Sequence, residues 1–292
     1  MALPQDLSAT TRKWILRGVH DLPSLSDVVT KTLEATERES TSASEIERLV
    51  SSDAALSAKI LRVVNSAYYG LSGQVSSLNQ AVVILGIQQI RNLVLSISAL
   101  SLLKGRTPQL RRLQHSFWMH SFATAVCAQI IARRKRFSAR DAEMVYTAGL
   151  LHDIGRLYLF SAVSEEYLAV IAHAAKSERS LDEVEPEMLG VRHDEIGGEL
   201  AKTWHFPAAL TDLIARHEGP FGDEIEHALF AIHGADRLTA SRYTKTFGVQ
   251  TPTMDLEVEC WLGFTPEDIE AVLAETESKV DEAAEVYGLI VQ

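Results

Sequence analysis

Apolar residues recur at three- and four-residue spacing along almost the whole chain, and no stretch keeps the strict apolar-polar alternation of a half-buried strand. That periodicity restricts the chain to an all-α fold. Helix starts are well marked: Ser42 with Glu45 and Ser77 with Gln80 stand at capping-box spacing, while Thr265, Pro266 and Asp268 supply a cap, a first-turn proline and a first-turn acid. Stops are equally legible. Gly70 is expected to end the helix running through ALSAKILRVVNSAYY, because glycine takes the left-handed conformation that closes a helix without a side-chain clash. Gly86 is expected in mid-helix, where glycine costs about 1 kcal/mol relative to alanine and so has a packing reason.

The 292 residues, 46% of them hydrophobic, are enough for two lobes. An N-terminal helical lobe is expected over 1–105, a second helical lobe over 106–240, and C-terminal packing helices over 241–292. KGRTPQ at 104–109 is the linker between the lobes. Nine of the ten histidines fall in the second lobe, so chemistry is to be sought there.

Thirty-nine acidic against 28 basic residues give a formal charge of -11, which repels phosphate backbones and anionic lipid surfaces. Direct nucleic-acid or membrane binding is not expected. The basic run RRKR at 133–136 reads as a solvated helix end favourable to the helix dipole. Cys127 and Cys260 form no C-x-x-C motif, which argues against a disulfide framework or a thiolate zinc site and fits a reducing cytoplasm. The N-terminus has no apolar signal core, and the longest apolar stretch, LVLSISALSLL, is shorter than the roughly 20 residues of a bilayer span.

His-Asp occurs at 20–21, 152–153 and 193–194. Context separates them. His20 and Asp21 precede Leu22 and Pro23 in a polar turn, whereas His152 and Asp153 end the apolar helix MVYTAGLL and are followed by Gly155, the mark of a close backbone approach. A carboxylate taken out of water needs a partner, either a divalent ion shared with neutral imidazoles or a hydrogen bond from histidine. His120, His193, His217 and Asp236 lie on separate predicted helices that a bundle can converge on the pair. His233 shares a helix face with Asp236 and is expected to orient a ligand rather than to be one. Glu187 and Glu218 could add a carboxylate to the site but read first as solvated or helix-terminating acids, and Asn65 in NSAYYG as a backbone bridge between helices with Tyr68 and Tyr69 packed beside it.

These stretches, in this order, resemble the HDOD family, relatives of the HD-type metal-dependent phosphohydrolases. The resemblance runs from about Leu22 to Ala240 and rests on LPSLSDVV, SDAALSAKILRVVNSAYYG, SSLNQAVVILGIQQIRNLVLSIS, FWMHS, AGLLHDIGRLYL and LGVRHDEIGGELAKTWHFP. It implies an HD-like helical lobe preceded by a helical lobe, and a metal-ligand set of His120, His152, Asp153, His193, His217 and Asp236. Asp153 and Arg156 would be the catalytic pair, and iron, manganese or zinc the ion. Arg156 stands where the enzymes often carry lysine. Arg216 stands where a paired histidine would complete a second ion, so a single ion is expected. No HHExxxGxGYP-like extension follows RHEGP at 216–220, which argues against cyclic-di-GMP hydrolysis.

Two functions follow from the resemblance. One is a cytoplasmic signal-transduction protein whose pocket reads a small phosphate-containing ligand or a signalling protein partner. The other is a metal-dependent phosphohydrolase acting on a nucleotide or another phosphate ester, with Arg156 or Arg192 offsetting developing negative charge.

Overall fold

A computed structural model describes residues 5–291 apart from 37, 39, 67, 68, 72, 103–106, 223–225 and 244–246, and every regular element among the described residues is a helix. The chain runs through α1 (Gln5–His20), α2 (Asp27–Thr36), α3 (Ala43–Val50), α4 (Ala54–Val64), α5 (Leu78–Leu85) and α6 (Ile87–Leu102). It continues through α7 (Pro108–Arg134), α8 (Ala139–Leu151), α9 (Ile154–Ala162), α10 (Ser164–Ser177) and α11 (Leu181–Leu189). It ends with α12 (His193–Thr203), α13 (Ala208–Arg216), α14 (His227–Tyr243), α15 (Leu256–Leu262) and α16 (Pro266–Val291). No single helix among the described residues is long and apolar enough to cross a membrane.

Contacts divide the chain into two units, residues 1–22 with 105–280, and residues 23–104 with 281–292. The division differs at both ends from the one expected. Helix α1 belongs to the histidine-rich unit, packing on α11 and α12 with Ile15 and Val19 buried, and the Tyr158 hydroxyl donates to the Ile15 carbonyl at 2.9 Å. Residues 241–280 belong there too. Lys135 Nζ donates to the carbonyls of Trp261 and Leu262 at 2.6 and 2.8 Å, docking the end of α7 on the last turn of α15. The RRKR run is therefore partly spent inside the fold rather than solvated throughout.

In the smaller unit α2 packs on α3 and α6, and α5 on α3, α4 and α6. Its core is aliphatic: Val29, Leu33, Ile46, Val50, Ile60, Val63, Val64 and Val82 are each at most 3% exposed. Ser42, Asp53 and Ser77 cap α3, α4 and α5 through their side chains, although Gln80 closes back on the Ser76 amide rather than on that of Ser77. Helix α4 ends five residues before the expected stop at Gly70. Asn65 is the reason: its amide donates to the Leu61 and Val75 carbonyls and its oxygen accepts from the Val75 amide, tying the helix end to the incoming loop. That is the bridging role expected of it; Tyr68 lies outside the described residues, as do 104–106 of the linker.

Gly86 is not in mid-helix. It closes α5 at φ +86°, and α6 departs at 117°. A Cβ there would meet nothing within 4 Å, so the glycine serves backbone conformation and not packing.

In the larger unit α7 and α14 lie along α8, and α9 packs on α12, which packs on α13. Gly155 makes the second contact possible. A Cβ at that position would lie 2.0 Å from the His193 carbonyl oxygen, so only glycine lets the start of α9 approach the start of α12. This is the close backbone approach expected beside the His-Asp pair.

Candidate metal centre

The six predicted ligands come together inside the larger unit, none more than 2% exposed. His120 projects from the middle of α7 and Asp236 from the middle of α14, while the others sit at helix ends: His152 and Asp153 at the junction of α8 and α9, His193 at the first turn of α12, His217 at the end of α13. Two of the ends use the same local device. His152 Nδ1 bonds the Gly149 carbonyl at 2.7 Å and His217 Nδ1 bonds the Ile214 carbonyl at 2.8 Å, each capping a last-turn carbonyl three residues back. Each ring then turns Nε2 inward. His193 reaches the same result through Glu185, whose Oε2 takes both the Nδ1 at 2.7 Å and the His193 backbone N–H at 2.9 Å.

The inward atoms form two donor sets that share Asp153. In one, His120 Nε2 lies 3.8 Å and His152 Nε2 3.6 Å from Asp153 Oδ2, and Asp236 Oδ1 is 2.8 Å from the first ring and 3.6 Å from the second. In the other, Asp153 Oδ1 is 3.3 Å from His193 Nε2, which is 3.2 Å from His217 Nε2. With both Nδ1 atoms donating outward, the facing Nε2 atoms of a neutral His193 and His217 bear lone pairs, which repel unless a proton or a metal cation lies between them. His120 Nδ1, His152 Nε2 and Asp153 Oδ1 have no hydrogen-bond partner although all are buried. Buried polar atoms without partners are costly, and nitrogens and oxygens of this type at this spacing fit a divalent ion of the iron, manganese or zinc kind.

Acids that the sequence left on the surface complete the site. Glu218 Oε1 lies 3.4 Å from His193 Nε2 and 3.5 Å from His217 Nε2; it is buried, contrary to the solvated role expected, and stands beside the second donor set where Arg216 had argued against another ion. Arg216 faces outward to Asp212 and Glu226. Glu187 is the solvated one, paired with Arg179. Asp182 and Glu185, both from α11, received no role from the sequence. Asp182 joins His193 and Glu218 in a third possible donor group, and Glu185, completely buried, also accepts from the Tyr167 hydroxyl at 2.8 Å.

Arg156 is committed to carboxylates. It donates to Asp153 Oδ2 at 2.8 Å and Asp182 Oδ1 at 2.6 Å, and its Nε reaches Glu185 Oε1 at 3.5 Å. Arg237 is its counterpart on α14, bonded to Asp236 and Glu218. Arg192 pairs instead with Asp194 and the Gly219 carbonyl. His233 supports rather than ligates: its Nδ1 donates to the His217 carbonyl at 2.9 Å while its Nε2 accepts from the Asp255 amide at 3.2 Å.

Electrostatics are dominated by this crowding. Burial alone would raise Asp153, Asp236 and Glu218, but Arg156 beside the first and Arg237 beside the other two hold all three well below the usual carboxylate range. Burial, reinforced by Glu218, lifts Asp182 to about 7 despite both arginines. Burial and Arg156 oppose protonation of His193, yet Glu185 and Glu218 raise it well above an ordinary imidazole. Five carboxylates against two guanidiniums leave an excess of negative charge suited to cations.

Residues 22–220 match the HDOD domain family model. Over 222 residues, 74% of this chain, the sequence is 27% identical to an uncharacterized protein of Treponema pallidum, 42% of which is covered. A shorter similarity, 35% over 92 residues or 27% of this chain, is to the 3'3'-cGAMP-specific phosphodiesterase 3 of Vibrio cholerae, 20% of which is covered. The chain thus spans less than half the length of these relatives. In fold it resembles the crystal structure of an HDOD domain protein of unknown function from Geobacter sulfurreducens, with a TM-score of 0.73 and 24% identity over 96% of this chain and 99% of that one.

Proposed function

Because the chain belongs to the HDOD family, we propose that it is a cytoplasmic regulatory protein whose larger unit holds a divalent metal ion in a closed pocket. The pocket reads a small phosphate-containing ligand and passes the change to protein partners. The observation that carries this reading is the set of buried imidazole and carboxylate atoms turned toward one another without hydrogen-bond partners. His120, His152, Asp153 and Asp236 would hold one ion; Asp153, His193, His217 and Glu218 offer a second place beside it. Two free cysteines, one buried and one exposed, accord with a reducing compartment. Regulation is favoured over turnover because the donors are sealed and because Arg156 and Arg237 are already neutralised by internal carboxylates.

A phosphohydrolase is the second reading, and the shared Asp153 favours it, since a carboxylate between two donor sets is how paired ions are held at phosphate centres. A bound ion would supply a coordinated water of lowered pKa and a Lewis acid at the phosphoryl oxygen. The protein's own part would be to orient His152 and His217 through their capped helix ends and to exclude bulk water.

Plasma mass spectrometry of protein purified without a histidine tag, beside Asp153→Ala, tests both. Near-stoichiometric metal that is lost in the variant is expected. Metal-free protein whose fold and melting are unchanged by Asp153→Ala would refute the metal reading. Hydrolysis of phosphate esters by the loaded protein, abolished in the variant, would select the enzyme.

A further inference from the structure

Two guanidiniums, each anchored on a carboxylate of the candidate metal centre, converge on a third carboxylate that is not needed to anchor either. Arg156 Nη1 is held by Asp153 and Arg237 Nη1 by Asp236. Both Nη2 groups border Asp182: Arg156 Nη2 donates to Oδ1 at 2.6 Å, and Arg237 Nη2, hydrogen-bonded to Glu218, has Asp182 Oδ2 3.5 Å away. The two oxygens of one anion thus face two different arginines. Asp182 is also the outermost acid of the cluster, its side chain 12% exposed where those of Asp153, Glu185, Glu218 and Asp236 are at most 3%. Arg237 Nε, in a side chain only 6% exposed, is buried without a hydrogen-bond partner.

Paired guanidiniums fixed from behind match the oxygens of a phosphoryl group better than those of a carboxylate, which has two where phosphate offers three. We infer that Arg156 and Arg237 form an oxyanion fork for a phosphate ester, and that Asp182 occupies the fork as an internal plug which the ligand's phosphoryl group displaces. This rests on the reading of the pocket as one for phosphate-containing ligands. Displacement has a route. Asp182 lies in the first turn of α11, a helix begun by Glu183 closing back on the Ser180 amide, so freeing Asp182 requires movement of a helix start and not of the core. Glu185, one turn on, is held by His193 and Tyr167, which makes the first turn the movable end. The ligand would report its arrival by shifting α11, against which α1 and α10 pack.

Removing a plug raises apparent affinity by the inverse of the fraction of time the fork is open. Inorganic phosphate, titrated calorimetrically into the full chain, is expected to bind Asp182→Ala at least about tenfold more tightly than the unsubstituted protein. Asp182→Asn, which keeps the shape and loses the charge, is expected between the two. Adding Arg237→Lys to Asp182→Ala should return affinity toward the starting value, because a point charge replaces the fork. Equal affinity in the unsubstituted protein, Asp182→Ala and Asp182→Asn overturns the inference, as does a double variant that binds as tightly as Asp182→Ala. Should Asp182→Ala lose its helical circular dichroism, Asp182→Asn decides alone. Plasma mass spectrometry of the same unsubstituted sample separates the two readings: tightening in a protein that purifies without metal refutes the metal pocket alone, and bound metal without tightening refutes the plug alone.

Discussion

Replacing Gly155 by alanine tests whether backbone proximity between α9 and α12 builds the second half of the centre. The new Cβ would sit 2.0 Å from the His193 carbonyl oxygen, 2.9 Å from its carbon and 3.0 Å from the Gly197 nitrogen, where ordinary contact begins at 3.4 Å. The obstacles are backbone atoms, so no rotamer change relieves them, and the helix starts must part by about 1.4 Å. Overpacking of this kind costs on the order of 1–3 kcal/mol, and a rigid obstacle places it near the upper figure. For a unit of this size about 3 kcal/mol lowers Tm by roughly 6–12 °C. The same displacement carries His193 away from Asp153 Oδ1, 3.3 Å distant, so metal held by the second donor set should fall while that held by His120, His152 and Asp236 remains. Scanning calorimetry of chelated protein gives the first number and metal titration the second. Gly222→Ala is the control, since its Cβ would meet nothing within 4 Å and should change stability by less than about 0.5 kcal/mol. Melting of Gly155→Ala within about 2 °C of that control would refute the steric reasoning.

Glu185→Gln keeps an oxygen for the His193 Nδ1 but removes the charge that opposes its desolvation; metal affinity of the second set is expected to fall about 10–100-fold, read by competition with a chelating dye. Acid should unfold the chelated protein from the carboxylate side. Asp236 and Glu218, which burial would raise but Arg237 holds well below their ordinary 3.8 and 4.5, contribute stability that is complete above the unfolded-state values. It is lost as pH falls through about 4.5 toward the lower folded-state values, so urea midpoints should drop below that range, while just above it the raised Asp182, at about 7, gives the opposite slope. Midpoints that stay flat down to pH 3, about one unit below the unfolded-state values, would contradict the pairing. Asn65→Ala deprives the Val75 amide and carbonyl of their partner and should cost about 1–2 kcal/mol, seen as a urea midpoint lowered by that energy divided by the slope, with the slope unchanged.

What the sequence showed and what it hid have physical causes. The candidate ligands His120, His152, Asp153, His193, His217 and Asp236 were legible because each polar side chain interrupts or ends an apolar helix, where an ionisable group needs a reason. Gly86 was misplaced because VVIL before it and IQQI after it continue one apolar pattern, and periodicity measures the repeat without reporting that φ of +86° turns the axis. Gly70 was overvalued because a side-chain cap from Asn65 ends α4 sooner than glycine could. The acids were hidden for a different reason. LDEVEPEML is a charged amphipathic segment, and such segments usually put their acids in water. Asp182 and Glu185 stand three residues apart on one face, but that face turns inward only because Arg156 on α9 and Arg237 on α14 wait there. A buried carboxylate is legible from sequence when its partner is close in the chain, as Asp153 is to His152 and Arg156. The hydrogen bonds that hold Glu185 and Glu218 come from Arg156, His193 and Arg237, 8 to 29 residues away, so their burial is a property of the fold. The plug argued for Asp182 is the same fact viewed from the ligand's side: a carboxylate drawn in by two arginines from distant helices is one that a better anion can replace.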